Sequence, residues 1–202
     1  MTRVTVIDYK AGNLTSVVKA LRYLGADVTV TEDPLIVAQA ERVILPGVGH
    51  FAATARLDNT GLTPAISEAI ARGIPFLGIC VGMQWLMQGS TEASEQPGLG
   101  YFIGQCERFP EGAEKVPHVG WNALEPRAES RLLAGIEGGT FAYFTHAWRV
   151  SVSNATAATT HYIEPFASAV EDKNIFGVQF HPEKSGEIGL KILRNFLEIK
   201  PC

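Results

Sequence analysis

The sequence lacks the features that would tie the protein to a membrane or a nucleic acid. No apolar segment approaches the roughly 20 residues that a membrane-spanning helix needs. The first residues, MTRVTVIDY, do not have the pattern of a secretory signal peptide. The formal net charge is -4, and no basic run is present that would follow a phosphate backbone. We therefore predict a cytoplasmic protein that binds neither membranes nor nucleic acids.

Cysteines are few, and paired metal ligands are missing. The three cysteines, Cys80, Cys106 and Cys202, are far apart and odd in number, which favours neither a disulfide framework nor a CxxC metal site. No histidine lies three or four residues from another, so the spacing typical of zinc ligands is absent. We predict no bound metal and no cofactor.

What the sequence does contain is an alternation of strand and helix patterns. The 202 residues suit one large domain, which we predict to span residues 1–202. In the first half, strands are predicted at 4–9, 27–31, 42–45 and 74–80, and helices at 14–24, 63–72 and 81–88. The second half has predicted strands at 101–108, 140–150, 155–162, 166–170 and 175–180, and a helix at 188–199. This order predicts an α/β fold whose parallel core is extended by antiparallel strands.

The strongest chemical signal is Gly78-Ile79-Cys80-Val81-Gly82, a G-x-nucleophile-x-G pattern between a predicted strand and a predicted helix. Flanking glycines leave room for a sharp turn. The turn places the sulfur at a helix N-terminus, where the thiolate is favoured, and frees the Val81 N–H to donate to an oxyanion. The alternative interpretation is a small buried hydrophobic residue, the common role of a free cysteine.

A thiol that attacks an amide usually needs a base, and the base needs an orienting group. His181 ends the apolar segment IFGVQF, at the sheet edge expected for Cys80, and Glu183 follows two residues later. In an extended chain, residues i and i+2 project to the same side, so Glu183 can orient the His181 ring. Alone, these two residues favour a strand-end histidine and a solvated acid, but the nucleophile elbow in the same chain reverses that preference. The other four histidines lack such a partner.

The glycine-rich segment Pro46-Gly47-Val48-Gly49 follows a predicted strand. Its backbone can run close to a ligand, and the Val48 N–H is a candidate second oxyanion donor. The alternative is an ordinary loop; it is not a phosphate-binding P-loop, because no GKS or GKT follows.

Cys80, His181 and Glu183 in this order, with the elbow GICVGMQ, resemble the class I (triad) glutamine amidotransferases. The segments IDYKAGNLTSV, LPGVGHF, VPHVGWN, YFTHAW and FHPEKSGEIGLKILRNFL resemble, nearly end to end, the glutaminase subunits of imidazole glycerol phosphate synthase. The resemblance implies a flavodoxin-like, mostly parallel sheet with helices on both faces and added antiparallel strands.

The resemblance also implies roles for individual residues. Cys80 would form a glutamyl thioester, His181 would move protons, and Glu183 would orient His181. The implied oxyanion hole comprises Val81 and the loop with Val48 and Gly49. The implied glutamine contacts are Gln84, Glu92 and the stretch Thr145, His146, Ala147 and Trp148. Val81 replaces a more usual leucine, and Ala147 and Trp148 replace a hydroxyl residue and a tyrosine, which removes any hydroxyl contact at Ala147.

A separate partner is implied as well, because the chain has no phosphate-binding motif for a sugar-phosphate acceptor. By resemblance, the partner is a (β/α)8-barrel cyclase in a heterodimer, which receives ammonia through an internal passage and makes imidazole glycerol phosphate and AICAR. The docking face would include Asn13, His118–Asn122 and Tyr143. The glycine-flanked Val48 suggests a loop that rests in an unproductive orientation until the partner binds its substrate.

Three other functions stay open from the sequence. The first is a glutaminase of another amidotransferase, such as anthranilate or pyridoxal phosphate synthase. The second is a Cys–His hydrolase of esters or peptides, although in α/β-hydrolases the acid precedes the histidine. The third is a catalytically silent regulatory subunit.

Overall fold

A computed structural model describes residues 1–12, 14–112 and 114–201, which form one sheet of 12 strands and six α-helices. The strands are β1 (Arg3–Ile7), β2 (Asp27–Thr31), β3 (Val43–Gly47), β4 (Phe76–Cys80), β5 (Gly89–Ser90), β6 (Gln105–Arg108), β7 (His118–Pro126), β8 (Thr140–His146), β9 (Trp148–Val150), β10 (Thr156–Tyr162), β11 (Glu164–Asp172) and β12 (Ile175–Val178). The helices are α1 (Leu14–Tyr23), α2 (Pro34–Ala38), α3 (Ala55–Asn59), α4 (Leu62–Ala71), α5 (Val81–Trp85) and α6 (Gly186–Glu198).

The parallel part of the sheet has the order β2-β1-β3-β4-β12. The step from β1 to β2 runs in the opposite direction to the steps from β2 to β3 and from β3 to β4. Because crossovers between parallel strands are right-handed, α1 covers one face and α2, α3 and α4 cover the other. The helix contacts agree, since α1 packs against α6 and α4 packs against α2 and α3.

The antiparallel extension continues from β12 through β11, β10 and β7 to β8. A smaller group, β5, β6 and β9, joins the same sheet through the pairing of β9 with β11. The predicted α/β fold, with a parallel core, helices on both faces and added antiparallel strands, is confirmed. The antiparallel part is larger than the sequence indicates, so the sheet as a whole is mixed.

Strand β7 and the helices α2 and α3 are not predicted by the sequence patterns. Burial along β7 is irregular rather than alternating, so its period-2 signal is weak. The strand is held by seven residue pairs with β8 and by further pairing with β10. The two helices have five residues each, too few for a helical period to register.

Candidate active site

Cys80 lies at the carboxyl end of β4, and α5 begins at the next residue. Its φ of 55° and ψ of -110° form a conformation that a residue with a side chain rarely adopts. The turn also brings backbone segments very close together. A Cβ atom on Gly82 would lie 1.9 Å from the carbonyl oxygen of Leu45, and one on Gly78 would lie 2.4 Å from that of Gly82. The glycines therefore permit the turn, and the strand–turn–helix arrangement expected around Cys80 is present.

His181 and Glu183 follow β12, the parallel neighbour of β4, so they lie at the same edge of the sheet as Cys80. Nδ1 of His181 donates to Oε1 of Glu183 over 2.8 Å, and each side chain is only 1% exposed. The other ring nitrogen, Nε2, is buried and has no aligned hydrogen bond to the described residues. It is the nitrogen left to exchange a proton with a thiol or a substrate.

Two opposing effects, burial and nearby negative groups, determine the protonation of His181. Burial lowers the pKa of His181, but the nearby Cys80 and the hydrogen-bonded carboxylate of Glu183 outweigh that effect and raise the pKa to about 9. His181 is therefore protonated at neutral pH. An imidazolium beside a cysteine favours the thiolate, which is the nucleophilic form.

A cavity of about 410 Å³ opens beside Cys80, within the range typical of small-molecule sites. Eleven of the residues predicted for the site line it together: Cys80, His181, Val48, Gly49, Val81, Gln84, Glu92, Thr145, His146, Ala147 and Trp148. Lys184 completes the lining. Glu183 does not line the cavity and acts on it only through His181.

The two candidate oxyanion donors are in different states. The Val81 N–H is at the first position of α5, where the helix itself provides no acceptor. The Val48 N–H donates to the carbonyl oxygen of Ala11 over 2.9 Å, so it is not directed into the cavity. Gly49, the next residue, has a φ of 93°, which glycine adopts without strain. A rotation of the peptide before Val48 is thus required before it can serve an oxyanion.

Gln84 and Glu92 lie on the cavity wall and are already held by the protein. The side-chain amide nitrogen of Gln84 donates to the carbonyl of Trp148 and to Oε1 of Gln179, both at 3.1 Å. Oε2 of Glu92 accepts the N–H of Phe51 over 2.8 Å. The second carboxylate oxygen of Glu92 accepts no hydrogen bond from the described residues. Glu92 therefore offers negative charge to a cationic group in the cavity.

The stretch from Thr145 to Trp148 forms the opposite wall. The ring of His146 points into the protein, where Nε2 lies 3.1 Å from Nδ1 of His118. The carbonyl of Ala147 accepts the N–H of Phe109 over 2.9 Å. Any contact of this stretch with a ligand would therefore involve the Thr145 hydroxyl or backbone groups rather than the imidazole of His146.

Sequence reasoning missed two residues close to Cys80. Lys184 lines the cavity, with Nζ 5.7 Å from the centre of the Tyr143 ring. Gln179 donates through Nε2 to the sulfur of Cys80 over 3.7 Å. The spacing of Gln179, His181 and Glu183 was available as a signal, since alternate residues of an extended chain share one side.

Across residues 1–12, 14–112 and 114–201, no group of three or more histidine, cysteine, aspartate or glutamate side chains is arranged to hold a metal ion. The same residues contain no helix long and apolar enough to cross a membrane.

Comparison with known proteins agrees with this geometry. Residues 5–199 match the family model described as Glutamine amidotransferase class-I. A solved structure described as a glutamine amidotransferase superposes with a TM-score of 0.75 at 18% identity, covering 97% of this chain and 99% of that chain. At such a low sequence identity, the superposition shows only that the two chains share a fold. The chain belongs to the class I glutamine amidotransferases.

Curated relatives define the family more narrowly. The imidazole glycerol phosphate synthase subunit HisH of Moorella thermoacetica is 46% identical over 202 residues, covering 98% of this chain and 96% of the relative. The protein of the same name from Methanothermobacter thermautotrophicus is 46% identical over 198 residues, covering 97% and 98%. Within its class, the chain belongs to the family of these HisH subunits.

Proposed function

We propose that this chain is the glutaminase subunit of an imidazole glycerol phosphate synthase, which hydrolyses glutamine and supplies ammonia to a cyclase subunit. The observation that carries the proposal is the buried pair of His181 and Glu183 beside Cys80 on the wall of the 410 Å³ cavity. The names of the curated relatives favour this synthase over the anthranilate and pyridoxal phosphate synthases.

In the first half of the reaction, the thiolate of Cys80 attacks the side-chain amide carbon of glutamine. The carbonyl electron pair moves onto oxygen, and the Val81 N–H stabilises the oxyanion. When the carbon–nitrogen bond breaks, protonated His181 transfers its proton to the leaving nitrogen, which departs as ammonia. A glutamyl thioester on Cys80 remains, and Glu183 keeps the imidazole oriented.

In the second half, a water molecule hydrolyses the thioester. His181, now neutral, accepts a proton from the water as its oxygen attacks the carbonyl carbon. The carbon–sulfur bond breaks, glutamate leaves, and the Cys80–His181 pair returns to its starting protonation. Each turnover consumes one glutamine and one water and yields one glutamate, one ammonia and one proton, which the newly formed carboxyl group releases.

The glutamine backbone is held by the remaining cavity groups. Glu92, whose second oxygen is without a partner among the described residues, attracts the α-ammonium group. The Thr145–Ala147 stretch on the opposite wall binds the α-carboxylate. Gln84 contributes through the part of its side chain that does not bond to Trp148 and Gln179.

The loop with Val48 makes the reaction dependent on the partner. As long as the Val48 N–H donates to Ala11, the oxyanion hole has a single donor. Losing one such donor typically lowers kcat by about 10²–10³-fold. Binding of the cyclase and its ligand would rotate the Gly47–Val48 peptide so that the N–H enters the cavity. Full glutaminase activity of the isolated subunit would contradict this regulation.

The docking face for the cyclase is the outer face of the β7–β8 pair. Register places Trp121 opposite Tyr143, so both project to the same side, together with Val119 and Phe141. Val119, Trp121 and Phe141 are 58%, 53% and 55% exposed, an unusual concentration of large apolar side chains. Thr145, on the same face, lines the cavity, so a partner bound here lies next to the site of ammonia release.

Two residues predicted for the docking face, His118 and Asn122, do not belong to it. His118 and Asn122 face the interior of the protein rather than the docking face, because His118 is only 3% exposed and Asn122 bonds to it. Asn13 lies outside the described residues. We propose that the cyclase is a (β/α)8-barrel, that the two chains form a heterodimer, and that they work in the cytoplasm.

The decisive experiment measures glutamate formation by the chain alone, with its cyclase subunit, and with the cyclase and its ligand. Cys80→Ala is compared with Cys106→Ala, a matched loss of a buried thiol that does not line the cavity. We expect the Cys80 variant to lose at least about 10³-fold in kcat and the Cys106 variant to stay within a few-fold of the wild type. An active Cys80 variant, or an inactive wild-type complex, would overturn the proposal and favour a silent subunit.

A further inference from the structure

Gln179 occupies a position beside the nucleophile that follows from strand register. In the parallel pairing of β12 with β4, Val178 lies opposite Ile79. The last residue of β4, Cys80, therefore lies beside Gln179, the first residue after the end of β12. Gln179 is completely buried, and its Nε2 lies 3.7 Å from Sγ, a hydrogen-bond distance for the large sulfur atom. The sulfur thus has an amide donor in addition to the His181 imidazolium.

The direction of the Gln179 amide is determined by Gln84. Nε2 of Gln84 donates one hydrogen to Oε1 of Gln179 and the other to the carbonyl of Trp148. If the Gln179 amide were reversed, two NH₂ groups would face each other, and a carbonyl oxygen would face the sulfur. Only the orientation with the NH₂ group toward Cys80 satisfies all of these groups.

The Trp148 carbonyl also accepts a hydrogen bond from one member of a buried histidine pair. Nδ1 of His146 donates to the Trp148 carbonyl over 2.9 Å, so Nε2 of the neutral ring must accept from Nδ1 of His118. Nε2 of His118 then accepts from Nδ2 of Asn122 over 3.3 Å. Burial lowers the pKa of His118 to about 4 and that of His146 to about 3, so both rings are neutral at neutral pH. Only one arrangement of protons satisfies all of these hydrogen bonds.

We propose that Gln179 donates a hydrogen bond that stabilises the thiolate of Cys80, and that Gln84, itself oriented by the Trp148 carbonyl, holds the Gln179 amide in that direction. A hydrogen bond strengthens when its acceptor becomes charged, so this contact favours the thiolate over the thiol. Gln179 does not titrate, and its contribution therefore persists at every pH at which the protein is folded. The inference rests on the proposed role of Cys80 as the nucleophile.

The test is the rate at which iodoacetamide alkylates Cys80, followed by mass spectrometry of the Cys80 peptide between about pH 5 and pH 10. Gln179→Met keeps the length of the side chain and removes the donor. We expect its alkylation profile to move by about one unit to higher pH, which is about tenfold slower reaction on the acidic side, while the alkaline plateau stays the same. A general structural loss would lower the plateau instead.

Ser168→Ala is the matched control. Its hydroxyl is fully buried without a hydrogen-bond partner among the described residues, and its carbonyl accepts the backbone N–H of Gln179 over 2.9 Å. This variant should reproduce the wild-type profile. Identical profiles for Gln179→Met and the wild type would overturn the inference. Alkylation needs no glutamine, so that result would leave the proposed glutaminase function standing if Cys80→Ala still abolishes hydrolysis.

A second measurement leaves Gln179 in place and remains informative if the methionine variant fails to fold. The side-chain amide resonances of Gln179 are compared by NMR between the wild type, Cys80→Ala and Ser168→Ala. Removing the sulfur should shift the Gln179 NH₂ signals strongly, whereas the Ser168 variant should shift them little. Unchanged Gln179 NH₂ chemical shifts in Cys80→Ala would contradict the proposed hydrogen bond.

Discussion

Replacing Glu183 by glutamine separates the charge of the buried His181–Glu183 pair, which we propose to be catalytic, from its geometry. Oε1 of Glu183 accepts from Nδ1 of His181 over 2.8 Å, at a place where both side chains are 1% exposed. The amide oxygen of a glutamine can accept the same hydrogen bond and keep the ring in place. What disappears is the negative charge that, with Cys80, raises the pKa of His181 to about 9.

The expected size of the effect follows from the buried hydrogen bond. A hydrogen bond to a charged group contributes about 1.5–3 kcal/mol, and about 1.4 kcal/mol corresponds to one pKa unit. The pKa of His181 should therefore fall by about one to two units. The protonated imidazole exists below this pKa and is lost as the pH rises through it. Activity should therefore begin to decline at a correspondingly lower pH, and kcat/KM on the alkaline limb should drop by about 10- to 100-fold. At neutral pH at least about half of the imidazole stays protonated, so the loss there should be no more than about two-fold.

The assay is the pH dependence of kcat/KM for glutamine hydrolysis by the complex with the cyclase subunit. Glu187→Gln serves as the matched control, since it makes the same chemical change on an exposed residue in the first turn of α6. An alkaline limb that coincides in Glu183→Gln and the wild type would refute the electrostatic argument. A shifted limb in the Glu187 variant would show that net charge, rather than the buried contact, is responsible.

Two further predictions concern the turn and the docking face. Gly82→Ala places a Cβ atom 1.9 Å from the Leu45 carbonyl and should destabilise the protein by about 1–3 kcal/mol or more in urea unfolding, whereas Gly112→Ala should change little because its nearest contact is 3.5 Å away. An unchanged unfolding midpoint for Gly82→Ala would contradict the close approach. Trp121→Ala should weaken cyclase binding by about tenfold or more in titration calorimetry, without a loss of fold, as expected for an exposed aromatic anchor. An unchanged Kd would mean that the partner binds elsewhere.

Local chemistry explains why much of the site is predictable from the sequence. The elbow depends on residues within five positions of one another, since Gly78 and Gly82 must flank Cys80 for the chain to turn. The same holds for His181 and Glu183, whose two-residue spacing directs them to one side. The α/β class of the core also follows, because strand and helix patterns alternate along the first half of the sequence, whereas the order of the strands in the sheet was not predicted.

Other features depend on contacts between residues far apart in the chain. β7 has an irregular burial pattern and becomes a strand through pairing with β8 and β10. The histidine pair brings together positions 28 residues apart, and no pattern within either segment indicates that the rings meet. The direction of the Val48 N–H likewise depends on Ala11, 37 positions earlier.

The sequence by itself determined the turn at Cys80, the pairing of His181 with Glu183 and the α/β order of the core, because each rests on short-range backbone geometry. Only the tertiary structure decided that Gln179 lies against the sulfur, that His118 and His146 are neutral and face inward, and that Val48 donates away from the cavity. These outcomes follow from strand register and from the need of every buried donor for an acceptor. Both are properties of the packed chain, and no short segment contains them.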